Sequence, residues 1–267
     1  MLGPDEAPTP VTVITGASSG IGAAMADVLA ARGHHLVLVA LEDDLLAAVR
    51  ARLERQHSVR VFSLALDLAA PGAAERVLFY LQAEGLRAEI LINNAGLGLA
   101  GDFHRAPLEK IRRVMAVNMS ALVDLTHGLV QGMVTRAHGR ILNTASTAAF
   151  QPGPGMAVYF ATKAFVTSFS QALASELEGS GVTVTAFCPG PTRTGFAAAA
   201  GLTHERHLEK VASFADPTRV AELGYHAMMR GRRLAIPGGR NRFFARLATW
   251  LPTGMVMRSV KRLHRQA

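Results

Sequence analysis

Short runs of apolar residues recur along the chain, separated by longer stretches rich in Ala, Leu, Glu and Arg. The runs are VTVIT (11–15), HLVLVA (35–40), VRVFSLAL (59–66), EILIN (89–93), RILNTA (140–145) and VTVTAF (182–187). Near-continuous Val, Ile and Leu is typical of strands buried on both faces, and their alternation with helical stretches indicates a parallel sheet covered by helices. With neither an internal repeat nor a Gly/Ser linker midway, the pattern predicts one doubly wound α/β domain.

The composition agrees with a globular cytoplasmic protein. Of the 267 residues, 49% are hydrophobic and 18% are charged, which suits a packed core. No window approaches the ~18 apolar residues of a membrane-spanning helix, and the acidic, proline-rich start MLGPDEAPTP is unlike a secretory signal. The single cysteine, Cys188, excludes an internal disulfide framework.

The net charge of +8 comes from the end of the chain. Residues 230–267 contain ten Lys or Arg and no Asp or Glu, so the other 229 residues carry 18 basic and 20 acidic side chains. Two apolar stripes at helical spacing lie in this region, on either side of Pro252: Phe243, Phe244, Leu247, Trp250 and Leu251, then Val256, Val260 and Leu263. We therefore expect a main domain over residues 1–239 and a basic, amphipathic extension of two short helices over residues 240–267.

Three interpretations of this extension are open. Its helices could dock on the domain or on a partner subunit, or they could form a monotopic contact at a membrane surface, since an aromatic stripe lies beside a basic face. Nucleic-acid binding would be the third, but no recognition motif accompanies the charge, and we expect no nucleic-acid partner.

Glycine and polar residues follow the predicted strands at their carboxyl ends, where open α/β sheets bind ligands. The first strand is followed by TGASSGIG (15–22), whose Gly16, Gly20 and Gly22 permit a tight turn at the start of a helix, where N–H groups favour a phosphate. Later strand ends carry LDL (66–68), NNAG (93–96), VN (117–118), NTAS (143–146) and CPGPTRT (188–194), and YFATK (159–163) places a tyrosine and a lysine one helical turn apart.

In these motifs the chain resembles the short-chain dehydrogenase/reductases in their single-domain form, from about residue 11 to residue 237. The resemblance implies a Rossmann-type fold of about seven strands, a nicotinamide cofactor and a catalytic tetrad of Asn118, Ser146, Tyr159 and Lys163. It also implies the following cofactor-binding residues, in addition to Tyr159 and Lys163: Gly16, Ser18, Ser19, Gly20, Ile21, Gly22, Leu41, Asp67, Leu68, Asn94, Ala95, Gly96, Pro189, Gly190, Thr192 and Thr194. Within this set, Asp67 would bond the adenine amino group, and residues 189–194 would hold the nicotinamide carboxamide.

Tyrosine is a poor base at neutral pH unless its pKa is lowered. Bringing a phenol from ~10 to near 7 requires ~4 kcal/mol, and a lysine charge ~4 Å away at an effective dielectric constant of ~20 supplies roughly that much. We therefore expect Lys163, with the positive charge of an oxidised nicotinamide added to its own, to lower the pKa of Tyr159, which acts as the general acid/base. By resemblance, Ser146 would orient the substrate oxygen and Asn118 would anchor a water that relays protons to Lys163.

The choice of dinucleotide depends on the residues after the second strand, VALEDD (39–44). An acidic residue there holds the ribose 2′-OH of NAD, whereas an arginine binds the 2′-phosphate of NADP. By family matching these positions are Ala40 and Leu41, so neither determinant is present. The missing arginine favours NAD(H), with NADP(H) still open, and the acids at 42–44 are expected to charge the first turn of the next helix.

The predicted activity is hydride transfer between the nicotinamide and an apolar secondary alcohol or ketone. Phe196 and Leu202 lie in the segment that matches the family's substrate lid, and Phe150, Met156 and Val158 lie close to the tetrad in sequence. His204 and His207 in this lid have no apparent third ligand, so no metal site is expected. A non-catalytic NAD(P)-binding redox sensor is the alternative, although sensors of this kind typically lack the tyrosine or the lysine. A homodimer or homotetramer, paired through helices at about 107–136 and 156–179, is expected by resemblance.

Overall fold

The computed structural model describes residues 7–202 and 214–265. Within them, the strands are β1 (Thr9–Thr15), β2 (Leu36–Ala40), β3 (Val61–Ala65), β4 (Leu86–Asn93), β5 (Gly139–Thr144), β6 (Val182–Phe187) and β7 (Leu234–Ala235). All six predicted strands are present, and β7 is an addition whose two residues are too few to give a hydrophobic pattern. His204 and His207 lie outside the described residues.

Helices follow the strands in the alternation that the sequence predicts. They are α1 (Gly20–Ala30), α2 (Asp43–Gln56), α3 (Ala73–Ala83), α4 (Leu108–Met115), α5 (Ala121–Thr135), α6 (Ala157–Glu176), α7 (Phe196–Ala199), α8 (Pro217–Met229), α9 (Gly239–Trp250) and α10 (Thr253–Arg265). A π-helical turn (Ala116–Ser120) joins α4 to α5, and short 3₁₀ turns lie at Phe103–Arg105 and Thr147–Phe150.

The seven strands of the described residues form one parallel sheet in the order β3-β2-β1-β4-β5-β6-β7. The chain winds outward in one direction from β1 and then in the other from β4, so the switch point lies between these two strands. Ligands of doubly wound sheets bind in the crevice beyond the strand ends at such a point. The predicted Rossmann-type fold is confirmed.

Side chains from successive strand residues enter two separate cores. Ile14 and Leu38 pack with α1, α2 and α8 on one face of the sheet, whereas Val13 and Val37 pack with α3, α5 and α6 on the other. This alternation follows from the two-residue period of a strand, and it explains why both strands are apolar throughout.

The C-terminal extension forms two helices, α9 and α10, separated at Pro252 as predicted. Ala245 of α9 is buried, and α9 lies against the 3₁₀ turn Thr147–Phe150. Val256 of α10 is buried, and Val260 packs against a cluster that contains Tyr159. Both helices therefore lie beside the loops of the candidate site.

Candidate active site

The glycine loop after β1 is closely packed. Gly16 and Gly20 have φ angles of +64° and +55°, which L side chains rarely adopt. A Cβ added at Gly22 would lie 2.0 Å from the Gly16 carbonyl oxygen, and one at Gly16 would lie 2.8 Å from the Ala95 Cα. Helix α1 begins here with Ser19 as its N-cap, so its first N–H groups and positive dipole end lie at the carboxyl end of β1. This arrangement of backbone fits a pyrophosphate.

The loop after β4 is tied to the glycine loop by four hydrogen bonds. The backbone N–H groups of Asn94 and Ala95 each donate to Thr15 Oγ1 at 3.0 Å. The Asn94 side-chain amide donates to the carbonyl oxygens of Thr15 and Gly16, both at 3.2 Å. The predicted residues 94–96 therefore lie at the switch point beside the predicted phosphate loop.

Tyr159 and Lys163 lie one turn apart on α6, as the spacing predicts. Lys163 Nζ donates to the Thr144 carbonyl oxygen at 2.8 Å and lies 5.8 Å from the centroid of the Tyr159 ring. Both side chains are buried, with 9% of Tyr159 and 5% of Lys163 exposed. Ser146, at the end of β5, hydrogen-bonds to Tyr159 and accepts from the Ala148 N–H at 3.1 Å. Three of the four tetrad residues thus meet where β5 ends.

Burial dominates the electrostatics of this group. Burial raises the pKa of Tyr159 to about 12, and the hydrogen bond with Ser146 opposes this rise only in part. Burial also lowers the pKa of Lys163 to about 8, with the nearby Cys188 acting in the opposite direction. In the protein without cofactor, desolvation of the phenolate therefore raises the pKa of Tyr159, and Lys163 Nζ donates to the Thr144 carbonyl oxygen. The lowering expected from Lys163 and an oxidised nicotinamide stays a prediction for the cofactor complex.

Asn118 lies in the π-helical turn, and its side chain is fully buried. Its Oδ1 accepts from the Leu97 N–H at 2.7 Å, and its Nδ2 donates to the Leu97 carbonyl oxygen at 2.9 Å and to Thr162 Oγ1 at 3.0 Å. A Cβ added at Gly96 would lie 3.2 Å from Lys163 Nζ and 3.5 Å from Asn118 Oδ1. Asn118 therefore fixes the loop after β4 directly beside Lys163.

Asp67 and Leu68 follow β3 at the carboxyl end of the sheet, where the resemblance expects the adenosine. Asp67 accepts from the Ala69 N–H at 2.9 Å and from the Arg113 guanidinium at 2.8 Å. Burial raises the pKa of Asp67, but these two hydrogen bonds and the arginine charge outweigh it, and the net pKa is lowered. The Leu68 side chain is part of the core, so a contact with the cofactor would use its backbone.

Glu42, which the sequence interpretation places in the first turn of the helix after β2, lies instead just before that turn. It is the N-cap of α2, and its Oε2 accepts from Ser18 Oγ at 3.1 Å, so its carboxylate reaches the glycine loop. Asp43 and Asp44 lie in the first turn of α2 as expected, and Leu41 is 53% exposed. The family match alone gave no signal for Glu42, because its partner Ser18 is 24 positions away.

The loop after β6 contacts both the glycine loop and the C-terminal extension. Thr192 Oγ1 donates to the Gly190 carbonyl oxygen at 3.0 Å. Cβ and Cγ2 of Thr194 lie against Gly20, and the Asn241 amide of α9 lies against Gly190. The predicted residues Pro189, Gly190, Thr192 and Thr194 are thus at the edge of the same crevice.

An apolar cluster surrounds the Tyr159 ring. Its buried members are Met156, Tyr159, Phe160 and Ala200, with Ala100, Ala148, Phe196, Leu202 and Val260 packed against them. The Phe196 ring centroid is 5.2 Å from that of Tyr159. Of the residues expected to line the substrate site, Met156, Phe196 and Leu202 belong to this cluster, whereas Phe150 packs in a neighbouring cluster with Cys188. Among the described residues, no group of His, Cys, Asp or Glu could hold a metal ion.

Comparison with known proteins agrees with this geometry. A family model for short chain dehydrogenase matches residues 10–205. A solved short-chain dehydrogenase from Sphingobium yanoikuyae in complex with NADPH is 37% identical with a TM-score of 0.80, and the match covers 88% of this chain and 91% of that one. A bulky-bulky ketone specific alcohol dehydrogenase from Comamonas testosteroni is 30% identical with a TM-score of 0.77, covering 90% and 91%.

Among characterised sequences, a very-long-chain 3-oxoacyl-CoA reductase of Laccaria bicolor is 34% identical over 174 residues. The match covers 64% of this chain and 52% of the reductase. The chain therefore spans about half the length of that relative.

Proposed function

This chain belongs to the short-chain dehydrogenase family, and from that premise we propose that it is an NAD(P)-dependent oxidoreductase that reduces an apolar ketone to a secondary alcohol. The observation that carries the proposal is the burial of Tyr159 beside Ser146 and Lys163 at the switch point of the sheet. A phenol whose pKa is about 12 is protonated at neutral pH, and only the protonated form can give a proton to a carbonyl oxygen.

The residues around the crevice fit a dinucleotide. An added Cβ would collide with Ala95 at Gly16, with the Gly16 carbonyl at Gly22 and with the Thr194 side chain at Gly20. The glycines therefore leave the backbone uncovered, so a pyrophosphate could approach the N-terminus of α1. Asn94, Ala95 and Gly96 would lie against the adenosine ribose side, and residues 189–194 would hold the carboxamide. A bound reduced nicotinamide would supply the hydride.

The chain's own groups handle the proton and the developing charge. Tyr159 Oη donates its proton to the substrate oxygen, and Ser146 holds that oxygen by a hydrogen bond that strengthens as negative charge develops. Lys163, still largely protonated below its pKa of about 8, stabilises the phenolate that remains. Both Nδ2 hydrogens of Asn118 are donated to Leu97 and Thr162, and Oδ1 accepts from Leu97. A relay water at Asn118 would therefore bind to its backbone carbonyl or to the second lone pair of Oδ1.

The substrate class follows from the cluster around Tyr159. The apolar side chains of Phe196, Met156 and Val260 pack in the cluster that contains the Tyr159 phenol. An apolar ketone would lose less hydration than a sugar acid on entering this environment. The names of the Laccaria and Comamonas proteins, a 3-oxoacyl-CoA reductase and a bulky-ketone alcohol dehydrogenase, support reduction of a carbonyl group.

For the cofactor we propose a preference for NAD(H), because the Glu42 carboxylate would accept a hydrogen bond from a ribose 2′-OH and repel a 2′-phosphate. The NADPH of the Sphingobium neighbour does not support this preference. Dissociation constants for NADH and NADPH, measured by fluorescence titration, test this preference. Glu42→Arg should tighten NADPH at least tenfold relative to NADH; a wild-type protein that binds NADPH more tightly rejects the preference.

The activity is tested with a panel of ketones, following the absorbance of reduced nicotinamide with wild-type protein and Tyr159→Phe. We expect the wild type to turn over bulky apolar ketones and Tyr159→Phe to lose at least 10³-fold in kcat, consistent with the loss of a general acid, while its cofactor dissociation constant changes less than threefold. Equal turnover by the variant would reject the role of Tyr159. Tight cofactor binding with no turnover of any alcohol or ketone would instead favour a redox sensor.

A further inference from the structure

Helix α9 docks on the domain through its small and polar face. Ala245 is 4% exposed, and Asn241 donates from Nδ2 to the Pro237 carbonyl oxygen at 2.8 Å and lies against Gly190. The aromatic side chains of the helix point the other way. Phe243 is 61% exposed, Phe244 52% and Trp250 85%. An amphipathic helix usually buries its apolar stripe, so this aromatic face, Phe243, Phe244 and Trp250, is available for a contact outside the domain.

The charged side chains of α9 itself are all positive. Arg240, Arg242 and Arg246 are exposed on the same helix, with the Arg240 guanidinium 5.7 Å from the centroid of the Phe244 ring. Exposed Arg258 follows on α10, and residues 230–267 contain no Asp or Glu. The partner should therefore combine an apolar interior with an anionic surface.

We propose that the aromatic face of α9 docks on an anionic lipid surface, with its rings at the level of the headgroups and its arginines on the lipid phosphates. Trp and Phe beside Arg on one helix is the composition of helices that lie in the membrane plane. Pairing with a second copy through this face is less favourable, because a two-fold contact would bring the arginines of α9 in both copies together, and residues 230–267 contain no Asp or Glu to lie between them. Within the described residues, no helix is long and apolar enough to cross a membrane, so the contact is peripheral.

The contact would place the bilayer next to the candidate substrate site. Helix α10 follows α9 after Pro252, and its Val260 packs on the cluster around Tyr159. An apolar ketone dissolved in lipid could then reach the site with little exposure to water. This consequence depends on the proposed function, whereas the docking itself does not.

Trp250 is the single tryptophan of the chain, so its fluorescence reports directly on this face. We expect its emission to shift to shorter wavelength with vesicles of phosphatidylcholine and phosphatidylglycerol, and to stay unchanged with phosphatidylcholine alone. The full-length protein should co-sediment with the anionic vesicles at low salt and be released at high salt, because salt screens the arginine–phosphate attraction.

Variants separate this surface from a general affinity for lipid. Phe243→Glu combined with Phe244→Glu should lower the partition coefficient at least tenfold, and Arg242→Gln and Arg246→Gln should each lower it about fivefold. Phe79→Glu is the matched control, because Phe79 is a 72% exposed aromatic residue on α3; its binding should equal that of the wild type. Activity and thermal unfolding of each variant check that the domain is intact.

The results distinguish the possible occupants. No co-sedimentation with anionic vesicles at low salt overturns the proposal, and so does equal binding by the Phe243→Glu/Phe244→Glu protein. A Trp250 blue shift that grows with protein concentration without vesicles overturns it in favour of a protein interface. Tighter binding to a DNA duplex than to vesicles overturns it in favour of nucleic acid. These outcomes do not depend on turnover, so they are independent of the test of the proposed function.

Discussion

A side chain at Gly22 would have no space, because an added Cβ would lie 2.0 Å from the Gly16 carbonyl oxygen. Alanine is otherwise a better helix residue than glycine by up to ~1 kcal/mol, and Gly22 lies inside α1. The collision of an added Cβ at Gly22 therefore opposes the gain in helix propensity that alanine would bring. The absence of a side chain here keeps the β1–α1 turn closed and its N–H groups accessible.

Gly22→Ala should consequently weaken dinucleotide binding by at least tenfold and lower the free energy of unfolding by about 1–3 kcal/mol, the usual cost of overpacking. Fluorescence titration with reduced nicotinamide cofactor and urea unfolding measure the two effects. Gly254→Ala is the control, since an added Cβ there would meet no atom within 4 Å. Unchanged cofactor affinity in Gly22→Ala would contradict the assignment of this loop.

The π-helical turn between α4 and α5 shows how an element places a side chain in the site. Regular helical bonding is interrupted at Ala116–Ser120, where the N–H of Ala121 reaches back to Ala116. Such turns often mark functional sites. Here the interruption carries Asn118, whose amide group satisfies both the N–H and the carbonyl of Leu97.

Asn118→Ala should therefore lower stability by about 2–4 kcal/mol, because it leaves two polar backbone groups of Leu97 without their partner. It should also reduce kcat by displacing the loop that lies against Lys163. Urea unfolding and ketone reduction measure these effects. Thr162→Val removes the acceptor of one Asn118 amide hydrogen and the bond from Thr162 Oγ1 to the Tyr159 carbonyl oxygen, but it keeps both bonds to Leu97. It should cost about 1–2 kcal/mol, and an equal loss of kcat in both variants would argue against the clamp on Leu97.

The sequence predicts an element well where the regular spacing of its side chains determines which of them are buried. The predicted bounds of six strands agree with the structure within about three residues, because Val, Ile and Leu fill both faces of a parallel strand. Tyr159 and Lys163 lie one turn apart on α6, as their spacing predicts. β7 was missed because Leu234 and Ala235 are too short to show any period. The sequence pattern identifies the apolar stripe of α9, but not which side of the helix faces the domain. That orientation depends on Ala245 and Asn241, which pack against loops that are distant in sequence.

The sequence predicts which residue types form the site and the order in which they follow the strand ends. The contact of Glu42 with Ser18 and that of Val260 with the Tyr159 cluster join distant parts of the chain, and no local pattern reports them. The raised pKa of Tyr159 in the protein without cofactor has a related cause. Helical spacing predicts the attraction between Tyr159 and Lys163, whereas the burial that penalises the phenolate depends on how distant segments pack around it.

At the scale of the whole molecule, apolar side chains remain exposed on the helices expected to pair two subunits. They are Leu108 and Met115 on α4, Val134 on α5 and Phe165 on α6, with exposed fractions between 39% and 57%. Phe165 also stacks on Phe169 at 5.9 Å. Apolar groups grouped on neighbouring helices favour association with a second copy.

We predict a homodimer through these helices, measured as molar mass by light scattering after size-exclusion chromatography. Phe165→Glu should shift the protein towards the monomer, because the interface would have to bury an uncompensated carboxylate. Phe79→Glu, on α3, should remain a dimer. A wild-type protein that is monomeric at micromolar concentration would contradict this arrangement.

The central claim, that a buried phenol holds the proton for a carbonyl oxygen, is tested most directly by ultraviolet titration of the phenols. Subtracting the Tyr159→Phe titration from that of the wild type isolates Tyr159 from Tyr80 and Tyr225. Burial raises the pKa of Tyr159 to about 12, so the account predicts no phenolate signal in the difference through neutral pH and up to the ordinary tyrosine pKa of ~10. A difference signal with its midpoint near pH ~7 in the protein without cofactor would contradict it, because the phenol would then have lost its proton before any carbonyl substrate binds.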